Sequence, residues 1–177
     1  LKMRKVLHIL GYFSDEDIAW MTDVGQKVTI NPNEFLIKTD VELSSIFFVL
    51  SGKFMVESKE GVEVAQVKKG EILGEMSFIE EEMPVANVRA LETANVIALG
   101  HDFMNDRFVS DRGFEARFYK AISLFLSSRL RSTSGKLANE NTDGKEFKSL
   151  QQDIDNSTLN HIQVAGERFN RLVEYFS

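Results

Sequence analysis

The stretch best equipped for chemistry is GEMSFIEEEMPVANVRA, residues 74–90. A Gly-Glu turn that feeds a short helix presents unpaired backbone N–H groups at the helix start, where the dipole favours an anion such as phosphate. Glu80, Glu81, Glu82 and Pro84 then stand where a cation would be useful to an anionic ligand. The acidic run reads most simply as an exposed helix end, because oxygen-ligand metal cages draw on residues spread around a loop. Other chemistries lack their residues. The chain has no cysteine, which excludes disulfides, thiolate metal sites and cysteine nucleophiles. His8, His101 and His161 lie in three separate segments without ligand spacing, and no Gly-x-Ser-x-Gly elbow is present. The expectation is a protein that is not an enzyme and carries no metal or cofactor.

Short runs rich in Val, Ile and Phe must position that stretch: KVTI, EFLI, SIFFVL, KFMVES, VEVAQV and NVIAL. Turn chemistry (NPNE, SGK, SKEG, KKGE) separates them at intervals of roughly ten residues, which predicts a β-barrel or jelly roll from about Lys27 to Leu99. Asn33 stands where a turn wants a left-handed residue. Before the strands, Ser14 with Asp15, Glu16 and Asp17 reads as a helix start, and Gly25 as its end. After His101 the period becomes helical: Phe114, Phe118, Ile122 and Phe125 form a stripe that is either hinge packing or a dimer seam. The helix turns polar before Gly135, and ANENTDG reads as a linker. A last amphipathic segment, about Thr158 to Phe176, spans too few heptads to be read as a coiled coil, and packing back on its own domain is an equal reading.

Several stretches in order resemble the cyclic-nucleotide-binding domain, the family of kinase regulatory subunits, gated channels and bacterial catabolite activators. NPNEFLIKTDVELSSIFFVLSGKFMV is similar to its first strands, and KKGEILGEMSFIEEEMPVANVRALETANVIAL to its phosphate-binding cassette. The resemblance covers about Leu10 to Gly135 and implies a mainly β fold, a double-stranded β-helix (jelly-roll) barrel with flanking helices. It implies a 1–26 helical segment, a 27–102 core, a 103–136 hinge with a long helix, and a 137–177 linker and helical tail. It also implies a cAMP or cGMP site. Glu75 would accept from the ribose 2'-hydroxyl, and the amides of Gly74, Met76 and Ser77 would face the phosphate. Pro84 occupies the place of the family's arginine, Val85 that of a supporting Thr or Ser, and Ala86 begins the small residues beyond. Thr133 and Ser134 match a pair that reaches the adenine amino group in the activators. A hydrogen bond to a charged group contributes ~1.5–3 kcal/mol, so the missing arginine weakens binding by roughly tenfold to a hundredfold. Arg89, five residues past Pro84 in an expected strand, is expected to face solvent rather than to compensate.

Partners follow from charge. The chain carries a net charge of −6, and residues 137–177 hold four basic against seven acidic residues, so a DNA-binding tail is not expected. No apolar run approaches the ~20 residues that span a bilayer. The first residue is Leu1, which points to a missing start; nothing near it reads as a signal peptide. A cytoplasmic, homodimeric regulatory module is expected, signalling to an effector protein through its C-terminal helices. The alternative is a domain that has lost nucleotide binding and serves association.

Overall fold

The computed structural model describes residues 8–141 and 156–177, with side chains described over 9–131 and 163–177. Two short helices, α1 (His8–Gly11) and α2 (Asp15–Val24), precede eight strands. At the start of α2 the Ser14 side chain accepts from the Asp17 N–H, and the Asp17 carboxylate accepts from the Ser14 N–H, closing a reciprocal cap. Gly25 does end this helix, with φ −71°, outside the left-handed region. Close approach is what requires a glycine. A Cβ there would stand 2.5 Å from the Met21 carbonyl oxygen and 2.6 Å from Ile97 Cγ2.

The strands are β1 (Gln26–Ile30), β2 (Phe35–Ile37), β3 (Ser45–Ser51), β4 (Lys53–Glu57), β5 (Glu63–Lys68), β6 (Ile72–Leu73), β7 (Asn87–Ala90) and β8 (Ala94–Gly100). They form two four-stranded antiparallel sheets, ordered β1-β8-β3-β6 and β2-β7-β4-β5. The fold is thus the jelly roll that was one of the two forms expected from the strand spacing, and its two sheets are not closed into a barrel. Asn33 adopts φ 68° in the β1–β2 turn, as expected for its type. The facing sides of the sheets bury Ile30, Ile37, Phe47, Val49, Phe54, Val88 and Val96. The opposite side of the first sheet buries Ile46, Phe48, Leu50, Ile97 and Leu99 under the helices. Strand β3 reads SIFFVLS, without polar alternation, because both of its faces are covered.

Between β6 and β7 the chain inserts α3 (Glu75–Glu80); after β8 come α4 (His101–Ser110), α5 (Arg112–Asn141) and α6 (Asn156–Tyr175). Phe114, Phe118, Ile122 and Phe125 of α5 are all buried in the helical side of the core. Of the two readings of that stripe, packing within the domain is the one realised. Helix α5 continues through Gly135 to Asn141, so the Ala138–Asn141 part of ANENTDG is its last turn and not a linker. Of the two readings of the last segment, helix α6 realises packing on the domain: Ala165, Phe169 and Leu172 are buried in the same cluster. Arg168 donates to the Leu10 and Gly11 carbonyls, and Arg168 and Arg171 both reach Asp15. Asp17 is fully buried, and Arg117 donates to both of its oxygens at 2.7 and 2.8 Å. Arg107 lies 3.7 Å from Asp17 and 3.1 Å from Asp111, the residue between α4 and α5.

Candidate functional site

Strand β6 delivers the chain to Gly74, whose φ of 81° lies in the left-handed region. A Cβ there would meet Leu43 Cδ2 at 2.7 Å and the Ser45 carbonyl oxygen at 3.1 Å, so glycine is required twice over. Helix α3 then turns two residues inward, Glu75 and Phe78. The Phe78 ring lies 4.9 Å from that of His101 on α4 and 5.8 Å from Phe118 on α5, which anchors the cassette to both helices. Glu80, Glu81 and Glu82 are exposed, and Glu81 adopts φ 55° to end α3. They form the solvated helix end anticipated.

Glu75 is buried, and its partner was not foreseen. Arg129 Nη1 of α5 donates to Glu75 Oε1 at 3.2 Å, while the guanidinium lies 4.5 Å from the centre of the Phe125 ring. Burial pushes the Glu75 carboxyl above its ordinary range, and Arg129 opposes that shift. Glu71, one strand earlier, is also pushed up by burial; the Lys68 N–H, which donates to it at 2.6 Å, and the field of Arg129 oppose it. The cassette therefore has two acids close to one guanidinium that comes from another element. A sequence signal existed: the stripe 114, 118, 122, 125 continues by one step of four to 129, which sets Arg129 on the face already turned inward.

The remaining residues of the anticipated site divide. Gly74, Glu75, Met76 and Ser77 form the β6–α3 entry as expected, with Met76 exposed and Ser77 half-buried. Pro84 is buried, and its carbonyl accepts from the Asp40 N–H at 3.1 Å. Val85 faces solvent and Ala86 is half-buried. Neither 84 nor 85 presents a side-chain donor. Arg89 does not fill the gap: it lies on the outer face of its sheet, where Nε donates to Glu57 Oε1 at 2.8 Å and Nη1 to Asn33 Oδ1 at 3.1 Å. It is held there and not loose in solvent as anticipated. Thr133 and Ser134 fall within α5, and their side chains lie outside the described residues. Burial pushes the His101 imidazole below its usual range. Among the described residues no three His, Asp or Glu side chains gather as a metal site, and no helix is long and apolar enough to cross a membrane. A cleft of about 450 Å³ lies between the loop before β3 and the start of α4, lined by Leu43, His101 and Phe103; none of the cassette residues 74–77 lines it.

Residues 27–111 match the family model for the cyclic nucleotide-binding domain. Comparison with curated proteins gives no match. Among solved structures, a cyclic nucleotide-binding domain from Methylobacillus flagellatus is 19% identical with a TM-score of 0.69, covering 81% of this chain and 85% of that one. The N-terminal domain of a transcriptional regulator from Streptomyces coelicolor is 23% identical, TM-score 0.59, covering 78% and 99%. The regulatory subunit of a cAMP-independent protein kinase A from Trypanosoma brucei is 19% identical, TM-score 0.56; the match covers 68% of this chain but only 40% of that subunit.

Proposed function

Because residues 27–111 match the model of the cyclic nucleotide-binding domain family, we propose that this chain is a non-catalytic sensory module that takes cAMP or cGMP in its cassette and signals through α5. The observation that carries the reading is the 3.2 Å contact between Arg129 and Glu75. It joins the residue expected to hold the ribose to the helix expected to move, so occupancy of one bears on the position of the other. A ligand that hydrogen-bonds Glu75 must compete with Arg129 or be accommodated beside it. In either case it shifts the balance between α5 positions by its difference in affinity for them. In this reading 27–102 is the binding core and 103–136 the moving hinge and helix. The missing cassette arginine makes the affinity modest.

Isothermal titration of cAMP and cGMP into the chain tests this. Saturable one-to-one binding of either nucleotide is expected, lost in Glu75→Gln and altered in Arg129→Gln. Absence of heat for both nucleotides at millimolar concentration would reject it.

A second reading has its own support. Pro84 is buried and Val85 faces solvent, so the phosphate side of the cassette carries no side-chain donor at either position, and the name of the trypanosome subunit describes a cAMP-independent kinase. On that reading the fold serves association alone, as a homodimer or on an effector. Pro84→Arg would then confer nucleotide affinity on a chain that has none. A cytoplasmic setting and a homodimer through the C-terminal helices stay within these proposals; the buried stripe of α5 and the docking of α6 leave only their outer faces for a partner.

A further inference from the structure

The cassette exposes apolar side chains to a degree the nucleotide reading does not use. Val85 is 80% exposed, Met83 56%, Val41 54% and Met76 48%, with Ile79 also exposed. Four of them lie within residues 76–85, in α3 and in the segment that follows it. The bond from the Asp40 N–H to the Pro84 carbonyl brings Val41 alongside. Contiguous exposed apolar surface on a water-soluble fold marks a site of association, and methionines adapt readily to a partner's shape. The rim is mainly acidic. Glu80, Glu81, Glu82 and Glu42 are all exposed, while Lys59 is paired with Asp40 and Lys38 stands over the Phe35 ring.

We propose that this surface docks a cationic amphipathic segment of another protein, its apolar face on Met76, Met83, Val85 and Val41 and its Lys or Arg side chains toward the glutamates. An apolar centre with a charged rim gives affinity at the middle and steering at the edge. A helix laid in this way would need only two or three turns to cover the patch. The surface shares Met76 and Val85 with the expected nucleotide site but does not include the Glu75–Arg129 contact.

The test uses a labelled seventeen-residue Leu/Lys amphipathic helical peptide and a counterpart with Glu in place of every Lys, titrated with the full chain by fluorescence anisotropy at 0.15 and 0.5 M NaCl. The Leu/Lys peptide is expected to bind at micromolar concentration, more weakly at high salt, and the Leu/Glu peptide not to bind. Met83→Gln with Val85→Gln, and separately Glu80→Gln with Glu81→Gln and Glu82→Gln, should each weaken binding about tenfold or more. Two control variants should leave it unchanged: Val109→Gln, at an exposed apolar residue of α4, and Asp102→Asn with Asp106→Asn, at exposed acids of the same helix. Binding that survives the Met83/Val85 change, or that falls equally in the controls, overturns the proposal. So does a dimer in light scattering that Met83→Gln with Val85→Gln dissociates, because a second copy would then be the occupant.

Discussion

Asp17 and Glu75 are both buried beside arginines, and their environments drive them in opposite directions. For Asp17, burial alone would push the pKa up, but Arg117 and the Ser14 cap outweigh it and hold the group below its ordinary value. Its stabilising contribution is therefore present above the unfolded pKa near 3.8 and is lost as pH falls through the lower folded value. Asp17→Ala should destabilise the fold by about 3 kcal/mol at neutral pH, since it leaves Arg117 without its buried partner. Urea unfolding between pH 3 and 7 should show that penalty shrinking toward acid. Glu75 behaves in reverse. Burial raises its pKa despite Arg129, so its contribution is full below the ordinary carboxylate range and declines as pH rises through the raised folded value. Glu75→Gln should flatten that decline in the same urea series while abolishing nucleotide binding; a parallel pH profile would contradict the assignment. The sequence made Glu75 legible through its Gly-Glu turn. It showed Asp17 only as a first-turn acid, because its partner Arg117 is a hundred residues away.

At the scale of elements, the strands were readable from turn residues at regular spacing, and α3 from the turn that opens it. What was not readable followed from contacts between distant elements. Arg129 could be set on the inward face of α5 from the stripe that precedes it, but its partner could not be read, because the pairing depends on α5 passing the cassette. The choice between barrel and jelly roll was not readable, because edge pairing is a property of the whole sandwich. Gly25 ended its helix for the sake of Ile97 across the interface, not for a left-handed cap. Gly74 combines both constraints, with φ 81° and Leu43 Cδ2 2.7 Å from the place of a Cβ. Gly74→Ala should cost about 2–4 kcal/mol from left-handed strain and overpacking. It should also disturb α3, which near-ultraviolet circular dichroism and a thermal melt would register. A melt equal to that of the native protein would mean the turn relaxes freely.

Across the whole molecule, the helical layer binds the two ends of the chain together. Helix α6 returns to α1 and α2 with Phe169 and Leu172 buried, and Asp17 ties α2 to α5 through Arg117. Phe169→Ala should destabilise the protein by about 3–4 kcal/mol, whereas Leu130→Ala, at an exposed position of α5, should stay within ~0.5 kcal/mol. Equal effects in urea unfolding would show that α6 is not part of the cooperative fold. The tail was legible as amphipathic, but its docking surface was not, because α1 offers too few residues to read as a partner.

The central claim is that ligand at the cassette and the position of α5 are coupled through Arg129 and Glu75. Amide hydrogen exchange, with and without saturating cAMP or cGMP, tests it most directly. Protection is expected to change together in Glu75–Glu80 and in residues 126–131, and Arg129→Gln should confine the change to the cassette. Unchanged exchange in both segments with either nucleotide, or a cassette response that leaves 126–131 untouched in the native chain, would contradict it.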